Sequence, residues 1–393
     1  MIAPDTLSGE MAGTRGNLLG LVVKTTVLTV ATLGLYSFWA RTRIRRWLWS
    51  SLRIGGVPFE YAGRPLEKLM GFVIAAVIVG VYLGLIVMLL IFASLNLTGG
   101  PGAGTGAALL LLVPVYWIAK YRGQRYLLNH TRWRGVAFSM EAGAWGYAAR
   151  AAFWSIATIL TCGILLPVRT HRLWKYRAER TFYGESRFRL AVGAGALYAP
   201  FVPVLIGAAV SGLSIWGLIA TNDLTTVLIL LPMLLLLFFG WINWRVASFQ
   251  ILASGLRLGD HMSLRVEPRT RSVIGIHLVG WILMAMLFVG IGIVGLFGFG
   301  FFARGAQAQF DLQSLESLSP YVVAAGGALF YLTFFVLRGA LRIAMVSFPL
   351  FRHVADTLVI GNSIEVAQVR RGASAHMADA DGFANLFDMG SGI

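Results

Sequence analysis

The stretch RIRRWLWSSLRIGGVPF, residues 43–59, joins a run of arginines and tryptophans to a Gly-Gly pair. A second stretch, RGQRYLLNHTRWRGVAF at 122–138, aligns with it without gaps, and arginine, leucine, glycine, valine and phenylalanine recur at matching positions. More divergent or shorter copies follow at 172–188, 254–260 and 356–362. We interpret the five copies as an internal repeat of one structural module.

The sequence of each module predicts a basic, aromatic-rich helix end followed by a short β-hairpin. Arginine and lysine at a helix end reach toward lipid headgroups, while tryptophan and tyrosine sit at the membrane interface. A lone hairpin is marginally stable in water, so we hypothesise that the five hairpins pair into a common sheet or cap on one membrane face. Glycine supplies the positive φ that a tight hairpin turn requires. The expected turn glycines are Gly55, Gly56, Gly135, Gly184, Gly259 and Gly361.

The composition is that of a membrane protein. Hydrophobic residues make up 57% of the 393 residues and charged residues 13%, whereas a soluble chain carries about a quarter charged residues. We therefore predict an all-α polytopic membrane protein with about six to eight transmembrane or re-entrant helices and short cytoplasmic β-hairpins in an internal repeat. A transmembrane β-barrel is not expected, because the apolar runs do not alternate.

Apolar segments account for most of the chain between residues 17 and 346. Strongly basic junctions follow the first, third, fourth, sixth and eighth segments, and the positive-inside rule puts all five junctions in the cytoplasm. The segments lie near 17–40, 68–95, 107–121, 146–168, 191–220, 224–243, 272–302 and 320–346.

The segment 146–168 conflicts with this charge pattern if it crosses the membrane. It alone separates the second basic junction from the third, so we expect a re-entrant or in-plane segment that enters and leaves on the cytoplasmic side. Segment 17–40 is similar, with Gly34 matching Gly163 before the basic exit, and the same expectation applies to it. The alternative, eight complete crossings with one loop that violates the charge rule, stays open.

The expected domain organisation has three parts: a flexible N-terminus at 1–16, a single membrane domain at 17–371 and a flexible acidic tail at 372–393. The N-terminus lacks the basic region and apolar core of a cleaved signal peptide, so we expect the first apolar segment to stay in the mature protein. The basic helix-hairpin modules lie near 41–63, 120–143, 169–190, 245–267 and 342–367.

Two motifs carry a family resemblance. LTVATLGLYSFWARTRIRRWLWSSLRIGGVPFEY at 28–61 resembles the opening signature of the YjgN-like family of bacterial inner-membrane proteins, and RYLLNHTRWRGVAF at 125–138 resembles its recurrent internal motif. The ending GFANLFDMGSGI at 382–393 is similar to the family's typical end, while the resemblance weakens at 340–370. The resemblance implies a multi-pass protein of the bacterial inner membrane, with no established activity, cofactor or catalytic residue.

The first functional hypothesis is a transporter- or channel-like protein for a small, anionic solute. Polar residues inside apolar spans are functional candidates, and Lys24, Arg150, His277 and Asn243 are the candidate pathway residues. The alternative for each is structural: the two cations snorkel, His277 sits at the interface, and Asn243 bonds to a neighbouring helix. The absence of Asp and Glu from the confident spans disfavours proton- or sodium-coupled transport.

The second hypothesis is a non-transporting scaffold that binds anionic lipid headgroups or protein partners through its basic cytoplasmic face. The net charge of +16 comes from 33 Lys and Arg against 17 Asp and Glu, and basic residues near a membrane surface attract anionic lipids. The expected headgroup contacts are Arg41, Arg43, Arg45, Arg46, Arg122, Arg125, Arg172 and Lys175.

Other functional classes find no support in the sequence. Walker-type, zinc-protease and serine-hydrolase motifs are absent, and the six histidines show no metal-ligand spacing. We therefore expect no enzyme activity, no cofactor and no metal. A nucleic-acid partner is disfavoured because no nucleic-acid-binding signature occurs, and a homo-oligomer is compatible with the sequence.

Overall fold

The computed structural model describes residues 6–221, 225–259, 262–305, 320–362 and 369. Within these residues, the β-strands are β1 (Thr6–Met11), β2 (Leu52–Ile54), β3 (Val57–Tyr61), β4 (Thr131–Trp133), β5 (Val136–Met140), β6 (Thr181–Tyr183), β7 (Ser186–Leu190), β8 (Leu256–Leu258), β9 (Met262–Val266) and β10 (Leu358–Gly361). They form one closed antiparallel barrel, in which each strand pairs with its neighbours in sequence and β1 pairs with β10.

The closed barrel shows that the predicted all-α fold class is wrong. The strands are only three to six residues long, too short for an alternating pattern to stand out against the long apolar segments. Hairpins do form at the first four modules, and they pair into a common sheet. That sheet closes on itself and so leaves no unpaired edge.

Residues with positive φ form the hairpin turns. Gly55 and Gly56 have φ values of 58° and 76°, and Arg134 and Gly135 have values of 51° and 73°, as a type I′ turn requires at both central positions. The other two turns have positive φ at Gly184 (58°) and Gly259 (62°).

The fifth module departs from the expected hairpin. Gly361 is not a turn residue: it lies in β10 opposite Thr6, and the positive φ, 59°, falls on Asn362. Strand β1 fills the place beside β10, so residues 6–11 of the expected flexible N-terminus are ordered, with alternate side chains buried in the barrel. The second half of the module, at 363–368, and the acidic tail at 372–393 lie outside the described residues.

Side chains fill the barrel interior. The aromatic rings of Phe59 and Phe138 stack at 6.2 Å between centroids, and Phe138 stacks on Phe188 at 6.5 Å. Burial raises the pKa of Tyr183 to about 12, and its hydroxyl donates to the Trp133 carbonyl at 3.0 Å. One end of the barrel is closed by five buried side chains, each on the last residue of its strand: Met11, Tyr61, Met140, Leu190 and Val266. The barrel is therefore a packed core and not a pore.

The helices lie between the strands. They are α1 (Arg15–Ala31), α2 (Ser37–Ser51), α3 (Pro65–Ile78), α4 (Gly84–Thr98), α5 (Gly102–Asn129), α6 (Ala144–Leu160), α7 (Leu166–Ala178), α8 (Val202–Thr221), α9 (Thr226–Ser254), α10 (Thr270–Gly305), α11 (Pro320–Arg342) and α12 (Phe348–Asp356). Short π-helical turns join α3 to α4 at Val79–Leu83 and α11 to α12 at Ile343–Ser347, and 3₁₀ turns at Ala194–Leu197 and Ala199–Phe201 precede α8.

These helices form helical hairpins that leave and re-enter the barrel at the same rim. The hairpin α1–α2 starts after Met11 and ends before Leu52, and these two residues are directly opposite in the sheet. The same pairing frames the other four hairpins of the described chain, at Tyr61–Thr131, Met140–Thr181, Leu190–Leu256 and Val266–Leu358. All five basic junctions therefore lie on one side of the helices.

Six helices are long and apolar enough to span a membrane within the described residues. They are Pro65–Leu97, Gly102–Asn129, Ala194–Thr221, Thr226–Ser254, Thr270–Ile293 and Phe330–Asp356. Neither of the two segments expected to be re-entrant contributes one of them.

Each of those two segments breaks and turns back. In the first, Leu33 and Gly34 have φ values of 50° and 94° between α1 and α2. In the second, Cys162 and Gly163 have values of 48° and 90° between α6 and α7. The two helices of each pair pack against one another, and exposed apolar side chains such as Leu160 lie near the tips. Each of the two segments therefore forms a helical hairpin whose two ends lie at the same rim of the barrel.

Replacing a core aromatic residue should destabilise the barrel, while replacing its outward neighbour should not. Phe138 contacts three other rings inside the barrel, so Phe138→Ala should cost about 3–5 kcal/mol and clearly lower the thermal midpoint in detergent. Ser139→Ala, one position along β5 on the opposite face of the strand, is the control and should leave the midpoint nearly unchanged. Equal effects of the two variants would contradict the packed interior.

Candidate functional site

Basic residues of three helices lie at one level above the barrel. Lys120 of α5, Arg169 of α7 and Arg245 of α9 each lie nine residues before the last residue of their helix, or about 14 Å at 1.5 Å per residue. Arg177, near the end of α7, reaches across to α5, where its Nη1 donates to Gln124 Oε1 at 2.9 Å. We call Lys120, Arg169, Arg177 and Arg245 the cationic cluster.

Aromatic rings flank these cations. Lys120 Nζ lies 5.6 Å and Arg169 Cζ 5.2 Å from the centroid of the same indole, Trp117. Arg177 Cζ lies 5.9 Å from the Tyr147 ring and 5.7 Å from the Trp174 ring. Each ring face attracts a cation, but it supplies no negative charge to balance one.

Packing of α7 between α5 and α9 brings the cluster together. On the α9 side, Trp174 meets Phe249 edge to face at 6.3 Å, and Leu166 packs against the buried cluster of Phe201, Val204 and Trp244. On the α5 side, the hydrogen bond from Arg177 to Gln124 ties the helices. Because α7 belongs to a folded-back hairpin, its basic end is held among the longer helices.

The cluster is electrostatically unbalanced. The side chains of Lys120 and Arg245 are exposed and those of Arg169 and Arg177 are half-buried, so four like charges lie on one surface of these helices. None of the four takes part in a salt bridge in the described part of the chain, and the nearby Glu179 pairs with Lys175 at 3.6 Å. Two donors at the site, Arg169 Nε and the indole nitrogen of Trp117, are buried with no hydrogen-bond partner among the described residues.

A second basic surface lies on the outside of the barrel. A groove of about 450 Å³ is lined by charged side chains, namely Glu179, Arg187, Arg189 and Arg257. Arg189 of β7 and Arg257 of β8 are directly opposite in the sheet. This groove lies at strands β7 and β8, next to the end of α7.

One known protein family matches most of the chain. The model of the family described as "Bacterial protein of unknown function (DUF898)" matches residues 6–294. The chain belongs to this family. The family expected from the sequence motifs is thus confirmed, and the six apolar helices mark the chain as a membrane protein. No curated protein and no solved structure matches the chain.

The four predicted pathway residues lie on separate elements. Lys24 is exposed on α1 beside the exposed Val23. Arg150 is exposed on α6, where its Nη1 donates to the Gly146 carbonyl at 3.0 Å and its Cζ lies 4.6 Å from the Tyr176 ring.

The other two pathway residues make hydrogen bonds on α10 and α9. His277 Nδ1 donates to the Val273 carbonyl at 2.8 Å within α10. Asn243 Oδ1 accepts from Thr270 Oγ1 at 3.1 Å, which links α9 to the start of α10. No contact joins any two of the four pathway candidates among the described residues, so the structure does not bring them together.

The predicted headgroup contacts divide into two groups. Arg46 and Arg125 donate at 3.0 Å to the carbonyls of Gly63 and Met140, respectively, and so fix a helix end to the end of a strand. The others lie along the helix surfaces. Four of them are close to an aromatic or acidic side chain: Arg41 to Phe38, Arg43 to Tyr36, Arg172 to Trp154 and Lys175 to Glu179. Arg45 and Arg122 also interact with other residues. Sequence reasoning did not single out the cationic cluster, because nothing in the sequence indicates that α7 lies between α5 and α9.

His130 joins the end of α5 to α3 at the barrel rim. Its ring stacks on Tyr126 at 4.1 Å, Nδ1 donates to the Tyr126 carbonyl at 2.8 Å, and Nε2 lies 3.9 Å from Glu67 Oε2. Burial lowers the pKa of His130, and this effect outweighs the opposing Tyr126 carbonyl and Glu67 carboxylate.

This pKa shift predicts a pH-dependent stability. The unfolded chain binds a proton at His130 more readily than the folded chain, so stability is complete above about pH 6.5 and falls as the pH drops toward the lowered folded pKa. His130→Gln, which cannot titrate, should flatten the decline of the thermal midpoint between pH 6.5 and 5. His277→Gln is the control, and an unchanged decline in the His130 variant would contradict the assignment.

Proposed function

We propose that the protein is a scaffold of the bacterial inner membrane that binds anionic lipid headgroups, with its barrel in the cytoplasm. The supporting observation is that the strand register returns all five helical hairpins to one rim. The arginines of the helix ends are thereby collected on one side of the apolar helices. The positive-inside rule favours the cytoplasm for that side.

The proposed mechanism is electrostatic attraction at the membrane surface. Each basic residue near an anionic bilayer contributes about 1 kcal/mol of attraction, and the chain carries 33 Lys and Arg. The closed barrel would act as a rigid frame that keeps the basic helix ends at one depth. We also propose that the modules are a true internal repeat, which the shared pairing pattern of the four hairpins supports.

Transport of a small anion stays a prediction from the sequence. Lys24 and Arg150 lie on different helical hairpins, and both are exposed on their helices. The barrel lumen is filled by apolar and aromatic side chains. No described feature therefore favours transport over headgroup binding.

Anionic lipid should stabilise the purified chain. In nanodiscs of phosphatidylcholine, replacing 30% of the lipid by phosphatidylglycerol should raise the thermal midpoint by about 2–4 °C, because a ligand of the folded state stabilises it. The midpoint can be followed by intrinsic tryptophan fluorescence. In 1 M salt, where the Debye length is about 3 Å, the rise should largely disappear.

Lipids with matched acyl chains are the control for this measurement, since they keep the hydrocarbon thickness constant. A midpoint that does not depend on the phosphatidylglycerol content would contradict the proposal. A rise that persists at high salt would also contradict it, because the effect would then not be electrostatic.

A further inference from the structure

The cationic cluster lies at the end of an apolar helical stretch. Lys120 directly follows residues 102–119 of α5, whose 18 positions extend about 27 Å, close to the thickness of a bilayer's hydrocarbon core. Tyr116 and Trp117 precede it at the position of an interfacial aromatic belt. The cluster is therefore at the depth of lipid phosphates when α5 spans the membrane.

The like charges of the cluster favour the binding of an anion. Like charges held on one surface disfavour one another, and no acidic partner neutralises these four in the described part of the chain. The buried Arg169 Nε and Trp117 indole nitrogen add two unused donors. Ammonium, guanidinium and N–H groups from three neighbouring helices match a phosphate, which has several acceptor oxygens and binds arginine through paired hydrogen bonds.

We infer that Lys120, Arg169, Arg177 and Arg245 form a specific binding site for a phosphate group, supplied by the headgroup of an anionic phospholipid. This inference rests on the proposed function and adds the place of binding. Trp117 orients Lys120 and Arg169, and Gln124 orients Arg177. A phosphate at this point would bridge the second, third and fourth helical hairpins.

The test compares two double variants of the full chain in neutral detergent. Lys120→Gln/Arg245→Gln removes two charges from the cluster, and Arg53→Gln/Arg257→Gln removes two charges from the outside of the barrel. Phosphatidylglycerol is titrated and the bound lipid is counted by native mass spectrometry. The cluster variant should bind the tightest lipid about 30-fold more weakly, as expected for two lost basic contacts, and the barrel variant within about twofold of the wild type.

The thermal midpoint without anionic lipid separates binding from folding. Relief of repulsion should leave the midpoint of the cluster variant equal to or above that of the wild type in phosphatidylcholine nanodiscs. Inorganic phosphate is added in a parallel arm to distinguish the source of the phosphate. If millimolar phosphate stabilises the wild type but not the cluster variant, the result would support the site and would assign it to free phosphate instead of a lipid headgroup.

Two outcomes would overturn the inference. Equal phosphatidylglycerol affinity of the cluster variant and the wild type, with lipid preference retained, would refute this site while the proposed headgroup binding stands. No preference of the wild type for phosphatidylglycerol over phosphatidylcholine, and no effect of phosphate, would refute both.

Discussion

Closure of the barrel by the pairing of β1 with β10 is the constraint on which the architecture depends. Leu7 lies opposite Ile360, so residues near the two ends of the chain complete one ring of hydrogen bonds. In a closed antiparallel sheet, the connections alternate between the two rims. The short connections are tight turns at one rim and the long ones are helical hairpins at the other.

This alternation explains why the membrane segments come in pairs. A hairpin that starts at one strand end must return to the adjacent strand end, whether its helices are long enough to cross a bilayer or not. The hairpin formed by α3, α4 and α5 and the hairpin α6–α7 therefore begin and end at the same level. Only the first of these has helices long enough to span a membrane. The hairpins follow one another around the rim in sequence order, so α7 lies between α5 and α9, and this position assembles the cationic cluster.

The sequence predicted the local features better than the global fold. The Gly-Gly pair at 55–56 indicated a hairpin turn, and the charge pattern indicated that 146–168 folds back. Barrel closure could not be predicted, because β1 pairs with a strand some 350 residues away and its sequence TLSGEM contains glycine and serine. The cluster could not be predicted for a related reason. In the sequence, Arg169 and Arg245 do not differ from the other junction arginines, and only tertiary packing brings their helices next to that of Lys120.

All five helical hairpins begin and end at the same rim of the barrel, and cysteine labelling tests this arrangement directly. In a Cys162→Ser background, single cysteines at Arg134 and Glu185 lie in the turns before and after the hairpin α6–α7. A cysteine at Gly99, between α4 and α5, marks the opposite membrane face. An impermeant maleimide should label Arg134→Cys and Glu185→Cys from the same face and Gly99→Cys from the other. Labelling of the two turn positions from opposite faces would contradict the account.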